Sequence, residues 1–205
     1  MARNRIVFVD VDTQADFMLP GGKLYVPGAE KLLPTLKRLR DFAQQHSIPV
    51  ISTTDAHGTD DTEFRDWPPH CIRQTAGQLK VPETLFRQYL VVPRERQAPI
   101  ASEELSSYRQ MIVEKNQLDM FSTPHAGNLV NQLDAEEYVV YGVATEYCVH
   151  LAALGLRKQA RRVVVLTDAI QGIDAAGIEK TLREFEDAGA KLAASDRVLA
   201  AVQAA

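Results

Sequence analysis

Short, continuously apolar runs recur along the chain at Arg5 to Val11, Pro49 to Thr54, Gln110 to Glu114, Tyr138 to Val143 and Arg162 to Thr167, with a weaker one at Ala190 to Ala194. Runs that lack in-out alternation predict strands covered on both faces. Between them the apolar positions change to helical spacing. Ala29 to Gln45 sets Leu32, Leu33, Leu36, Leu39 and Phe42 on one stripe, and Thr123 to Leu133, Thr145 to Gln159 and Ala176 to Ala188 behave similarly. Gly189 marks a helix stop, and Ala193 to Ala205 reads as a terminal helix. Strand and helix in alternation predict an α/β fold, a single domain with a mostly parallel central sheet and helices on both faces. The stretch from Thr54 to Ser107 breaks the rhythm and holds five prolines. Long irregular segments in compact domains are usually functional, and in open α/β sheets ligands bind beyond the carboxyl ends of the strands.

Composition narrows the classes. A chain of 205 residues, 45% hydrophobic and 24% charged, fits one domain spanning 1–205 with a real core. Net charge is −4 and the basic residues are scattered, so neither nucleic acid nor an anionic membrane is an expected partner. No apolar run approaches the ~18 to 20 residues of a membrane span. Ile6 to Val9 is broken by Asp10 and Asp12, too short for a signal-peptide core. Two cysteines, Cys71 and Cys148, make no disulfide scaffold and point to a reducing cytoplasm.

Three groups of residues could carry chemistry. Asp55 and His57 follow the second strand and, two apart in extended chain, project to one side. His70 lies in Trp67-Pro68-Pro69-His70-Cys71, where the prolines stiffen the backbone. Two imidazoles and a carboxylate suit Zn²⁺, Mn²⁺ or Fe²⁺, and Glu63 offers an oxygen as a fourth ligand. The same residues also fit a turn cap, a solvated imidazole and a packed loop histidine. Cys148 stands where the fifth run meets a helical pattern, a place where the helix dipole favours thiolate and free N–H groups can hold an oxyanion. A buried structural cysteine is the plain alternative. His150, two residues on, points away from Cys148 on a helix. Asp12 and Lys115 end other strands and could face the thiol, although a turn-capping aspartate and a solvated lysine beside Glu114 explain them equally when taken singly. His46 and His125 read as capping or surface residues.

Taken in order, these residues resemble the cysteine hydrolases of the isochorismatase-like superfamily, and most closely the nicotinamidases. The resemblance spans roughly residues 5 to 195. It is carried by Asp12-Thr13-Gln14-Ala15-Asp16-Phe17, Asp55-Ala56-His57, Trp67-Pro68-Pro69-His70-Cys71 with Thr75 and Gly77, Lys115, and Gly142-Val143-Ala144-Thr145-Glu146-Tyr147-Cys148-Val149. It implies Asp12, Lys115 and Cys148 as catalytic triad, and Asp55, His57 and His70, with Glu63 as a fourth candidate, around one divalent metal, zinc before manganese or iron. It implies a cis peptide before Ala144, which would aim the N–H of Ala144, with that of Cys148, at an oxyanion. The chain departs from the family in Asp10, a second aspartate on the first strand, and alignment through Gln14 to Phe17 favours Asp12.

The expected reaction converts nicotinamide and water to nicotinate and ammonia through a cysteine thioester, with the metal on the pyridine nitrogen and Phe17 and Trp67 about the ring. The expected partner is a small-molecule amide, and self-association into a homo-oligomer is compatible with the sequence. The alternative is the same chemistry on a carbamoyl or ureido compound. A metal-bound water nucleophile with an inert Cys148, and a non-catalytic binding protein on this fold, are the further rivals.

Overall fold

The apolar runs become the strands of one sheet: β1 (Ile6–Val11), β2 (Val50–Asp55), β3 (Leu90–Val92), β4 (Gln110–Lys115), β5 (Glu137–Val143), β6 (Arg162–Gln171) and β7 (Lys191–Ala193). The helices are α1 (Ala15–Met18), α2 (Leu33–Gln45), α3 (Ser102–Ser107), α4 (Pro124–Leu133), α5 (His150–Lys158), α6 (Ala175–Asp187) and α7 (Ser195–Gln203). The computed structural model describes residues 6–159 and 161–204. Arg5, which opens the predicted first strand, and Ala205, which ends the predicted terminal helix, lie outside the described residues.

The strands lie in the order β3-β4-β2-β1-β5-β6-β7, and every strand pair is parallel. Alternation along β1 divides the core. Val7, Val9 and Val11 pack with Leu129, Ala152 and Phe185 from α4, α5 and α6, whereas Phe8 packs with Leu36, Leu39 and Phe42 of α2 and with Val198 of α7. Burying both faces is what the unalternating runs required. After β1 the chain passes to β2 on one side, whereas β5 to β7 extend on the other. That reversal between β1 and β5 opens a crevice at their carboxyl ends.

The structure adds elements to the predicted pattern. The stretch expected to be irregular contains the edge strand β3 and helix α3, both too short for their periodicity to register. The predicted helix from Ala29 begins as a 3-10 turn (Ala29–Leu32), and the α-helix proper carries Pro34 in its first turn. β6 runs past Thr167 to Gln171 because its pairing with β5 resumes after an irregularity between Val140 and Gly142. Gly189, in left-handed conformation at φ 77°, ends α6, with the Ala190 N–H returning to the Phe185 carbonyl. No helix among the described residues is long and apolar enough to cross a membrane.

Candidate active site

Asp12, Lys115 and Cys148 meet at the crevice. Asp12 follows β1 in a left-handed conformation, φ 49°, which aspartate tolerates better than most residues. Its N–H donates to Thr53 Oγ1 at 3.2 Å, and that hydroxyl donates back to Asp12 Oδ1 at 2.6 Å. Lys115 ends β4, with β2 between it and β1, and only a side chain of its length crosses that strand. Its Nζ lies 2.9 Å from Asp12 Oδ2, contacts Asp55 Oδ1, and donates to Cys148 Sγ at 3.8 Å. All three side chains are buried.

Cys148 lies in a π-helical turn (Thr145–Val149) that precedes α5, not on an α-helix as the sequence spacing suggested. The Ala144 carbonyl accepts the N–H groups of Tyr147 at 3.1 Å and Val149 at 3.2 Å, skipping that of Cys148. The Val143-Ala144 peptide is cis.

Burial dominates the electrostatics. It pushes the Cys148 thiol well above its usual value, and the Lys115 ammonium only partly opposes this while Asp12 and Asp55 reinforce it. The expectation that a helix start stabilises thiolate is therefore corrected: desolvation outweighs the favourable charge and the sulfur rests as a thiol. Burial and the charge of Asp55 also raise Asp12, against the pull of Lys115 and Thr53. Burial alone would lower Lys115, but Asp12 and Asp55 outweigh it, so its ammonium persists far into the alkaline range.

Beside this group stand Asp55, His57 and His70, all buried, with one potential ligand atom from each lying within 4.8 Å of the others. His57 Nε2 and His70 Nε2 are each 3.9 Å from Asp55 Oδ2. That separation is too long for hydrogen bonding, and ligands about a tetrahedral zinc at ~2.1 Å stand ~3.4 Å apart. His57 Nε2 has no hydrogen-bond partner among the described residues, so a buried nitrogen is left for a ligand. On the far sides of the rings, His70 Nδ1 lies 2.8 Å from the Pro68 carbonyl, and His57 Nδ1 lies 3.1 Å from Asp61 Oδ2 as a charge contact without hydrogen-bond geometry. Second contacts of this kind fix metal-binding imidazoles. This donor set fits a divalent cation. Asp61 was not singled out from sequence, where it is one acid among several in a polar loop.

Burial raises Asp55, but Lys115 and His70 outweigh it and hold it below its ordinary value. Burial lowers His57 more than Asp55 and Asp61 raise it, whereas in His70 burial is outweighed by the Asp55 carboxylate and the Pro68 carbonyl together, which raise it. Glu63, on a 3-10 turn (Thr62–Arg65), is not in the three-residue group. It borders the same cavity, and burial together with the charge of Asp55 pushes it up to about 7.

The cavity above these groups is small and partly open to solvent. Phe17 and Trp67 line it, and so do Val26, Leu118, Tyr147 and Ile173, which share no mark in the sequence because they come from four separate segments. The Phe17 ring centroid is 5.3 Å from that of His70, and Trp67 meets Tyr147 edge-on at 5.2 Å. Gln14 ties the ends of two strands together: its amide donates to the carbonyls of Asp55 and Gln78, both at 2.8 Å, and its oxygen accepts the Asp55 N–H at 2.7 Å. Asp16 accepts the Cys71 N–H at 2.7 Å and so anchors the loop that carries His70.

Asp10 is engaged elsewhere. Its carboxylate lies 2.9 Å from Lys80 Nζ and accepts from Thr13 Oγ1 at 2.8 Å and Ser52 Oγ at 3.1 Å, in a fully buried network. Asp10→Leu would leave the Lys80 ammonium buried without its counter-charge, so urea unfolding is expected to show a loss of about 3 to 5 kcal/mol. The double change Asp10→Leu with Lys80→Met should recover most of it. A single variant as stable as wild type would show that this pair contributes nothing. His150 turns away from the sulfur, with Nε2 2.8 Å from Glu184 Oε2. His46 caps α2 and stacks on Phe42. His125, read as a capping or surface residue, is buried in the first turn of α4, just after the capping Thr123.

Comparison with known proteins gives the same picture at family level. The family model described as the isochorismatase domain matches residues 6–197. The chain is 25% identical over 183 residues to the nicotinamidase of Escherichia coli (strain K12), covering 80% of this chain and 82% of the relative. It is 28% identical over 194 residues to the nicotinamidase/pyrazinamidase of Mycobacterium tuberculosis (strain ATCC 25618 / H37Rv), covering 90% and 96%. Among solved structures, the pyrazinamidase of Pyrococcus horikoshii in complex with zinc matches with a TM-score of 0.75 at 25% identity, over 93% of this chain and 99% of that one.

Proposed function

Because the chain belongs to the isochorismatase domain family, we propose that it is a metal-dependent amidase that hydrolyses nicotinamide to nicotinate and ammonia. The observation that carries the reading is the buried meeting of Asp12, Lys115 and Cys148 beside an Asp-His-His cluster in one cavity.

In this mechanism Asp12 takes the proton of Cys148 as the sulfur attacks the carboxamide carbon. The N–H groups of Ala144 and Cys148 hold the oxyanion. Asp12 returns the proton to the departing ammonia, leaving the acyl group on sulfur as a thioester. Water then attacks the thioester with Asp12 again as base, releasing the carboxylate and the thiol. Lys115, cationic throughout, lowers the cost of each negative charge that forms beside it. Asp55, His57 and His70 would hold the ion, with Glu63 as a fourth ligand through oxygen and zinc as first choice over manganese or iron. When bound, the ion supplies a Lewis-acid anchor for the pyridine nitrogen. Phe17 and Trp67 flank the ring. A cytoplasmic setting accords with this reading, both cysteines being free.

An ammonia-release panel tests the assignment. Nicotinamide is expected to exceed N-carbamoyl amino acids and ureido compounds in kcat/KM by about 100-fold, since a site built around one polar anchor rejects compounds that leave it unpaired. A carbamoyl or ureido compound at the head of the panel would instead assign the same chemistry to that substrate.

A further inference from the structure

Glu146 stands two residues before Cys148, yet its carboxylate points away from the sulfur. Its Oε1 accepts the N–H groups of Ile173 at 2.8 Å and Asp174 at 2.9 Å, in the turn between β6 and α6. Asp174 in turn caps α6 by accepting the Gly177 N–H at 2.7 Å. The fit is close: a Cβ on Gly172 would fall 2.1 Å from Glu146 Oε2 and 2.6 Å from Ile178. Only glycine leaves room for the carboxylate. Glu146 Oε2 is buried and has no hydrogen-bond partner among the described residues, so the side chain is held there by Oε1 alone.

What the turn carries is Ile173. Its side chain lines the cavity shared with Cys148, Trp67 and Tyr147, yet the residue is 44% exposed, one of few large apolar residues left so open. An isoleucine half in water at the edge of a reactive cavity gains burial only when something apolar fills that cavity.

We propose that Glu146 is a positioning residue that clamps the 172–174 turn and so fixes Ile173 as the outer apolar wall of the substrate cavity, restricting the site to compact, flat amides. This rests on the amidase reading for its substrate and on the clamp geometry for its wall. It couples the motif that bears the nucleophile to the selection of what reaches it.

Two readouts test it. In steady-state hydrolysis of nicotinamide, Ile173→Ala is expected to raise KM about 5- to 20-fold with kcat within about twofold, and to admit ring-substituted nicotinamides that the wild type excludes. Glu146→Ala and Gly172→Ala should reproduce that pattern, and Glu146→Gln, which keeps an acceptor for both N–H groups, should restore it. Glu146→Ala combined with Ile173→Ala should be no worse than Ile173→Ala alone, since both remove one wall. The second readout needs no substrate: the rate of Cys148 alkylation by N-phenylmaleimide relative to iodoacetamide should rise about tenfold in Ile173→Ala and Glu146→Ala, because the wall obstructs the bulkier reagent. An unchanged ratio in both variants would overturn the proposal, as would a Glu146→Ala effect confined to kcat and undiminished in the Ile173→Ala background. If wild-type protein released no ammonia from nicotinamide while the alkylation ratio rose as expected, the amidase reading would fail and the wall would stand.

Discussion

Asp12→Asn is expected to lower kcat/KM for nicotinamide by about 10²- to 10⁴-fold, the usual contribution of a general base, while making Cys148 easier to alkylate. The two effects have opposite signs for one reason. The Asp12 charge raises the thiol it faces, adding to the larger effect of burial, whereas Lys115 lowers it. Neutralising Asp12 leaves Lys115 acting with less opposition, so the alkylation profile with iodoacetamide should shift to lower pH, even as turnover is lost for want of a proton acceptor. In the wild type, burial raises Asp12 above 3.8. Protonated Asp12 cannot take a proton, so kcat/KM should fall as pH drops through that raised value, and the acid limb should lie above the ordinary aspartate range. Cys148→Ala should remove activity altogether. Cys71, wholly buried and likewise raised by burial, with no lysine contact to its sulfur among the described residues, should stay unmodified. A Cys148→Ala protein that still released ammonia would transfer the chemistry to metal-bound water and sink the thioester route.

Stripping the metal is expected to damage turnover of nicotinamide far more than that of benzamide, which has the same carboxamide but no ring nitrogen. Loss of one buried polar anchor costs about 1 to 3 kcal/mol, or about 5-fold to 200-fold in kcat/KM. Benzamide never had that anchor, so its already poor rate should change little. Both substrates would be assayed with metal-loaded and chelator-treated protein, with circular dichroism to show that the fold survives. Acid should mimic the chelator. Burial would lower His70, but the Asp55 carboxylate and the Pro68 carbonyl together outweigh it and raise it above 6.5; below that raised value its proton competes with the cation, so metal affinity should decline as pH falls through it. Equal loss of both activities on chelation would give the metal a structural or chemical role, and the ring-anchor hypothesis would be abandoned.

Fold and site are written in different features of the chain. Strands such as β1, β5 and the first half of β6 were legible because burial on both faces writes itself as unbroken apolar sequence, and the helices because one buried stripe repeats at a fixed spacing. Asp12, Lys115 and Cys148 were legible for a related reason: each stands at or shortly beyond the carboxyl end of a strand, so a parallel sheet gathers them at one edge. Asp55, His57 and His70 were legible as residue types that share ligand chemistry. Their roles came from the resemblance, since spacing alone left each a structural alternative.

Tertiary structure alone decided the rest. It engaged Asp10 with Lys80, seventy residues away, and so left Asp12 as the carboxylate facing the sulfur. It brought Asp61 to the back of His57, and Glu146 to the turn that holds Ile173. It also reversed the expected bias on Cys148, because helix position is local and readable whereas desolvation depends on everything that closes around the sulfur. The sequence by itself determined which residue types arrive at the carboxyl edge of the sheet, because periodicity and strand order are properties of the chain. Which of them touch, and with what charge, only the tertiary structure decided, because contact distance and burial are set jointly by segments that carry no mark of one another.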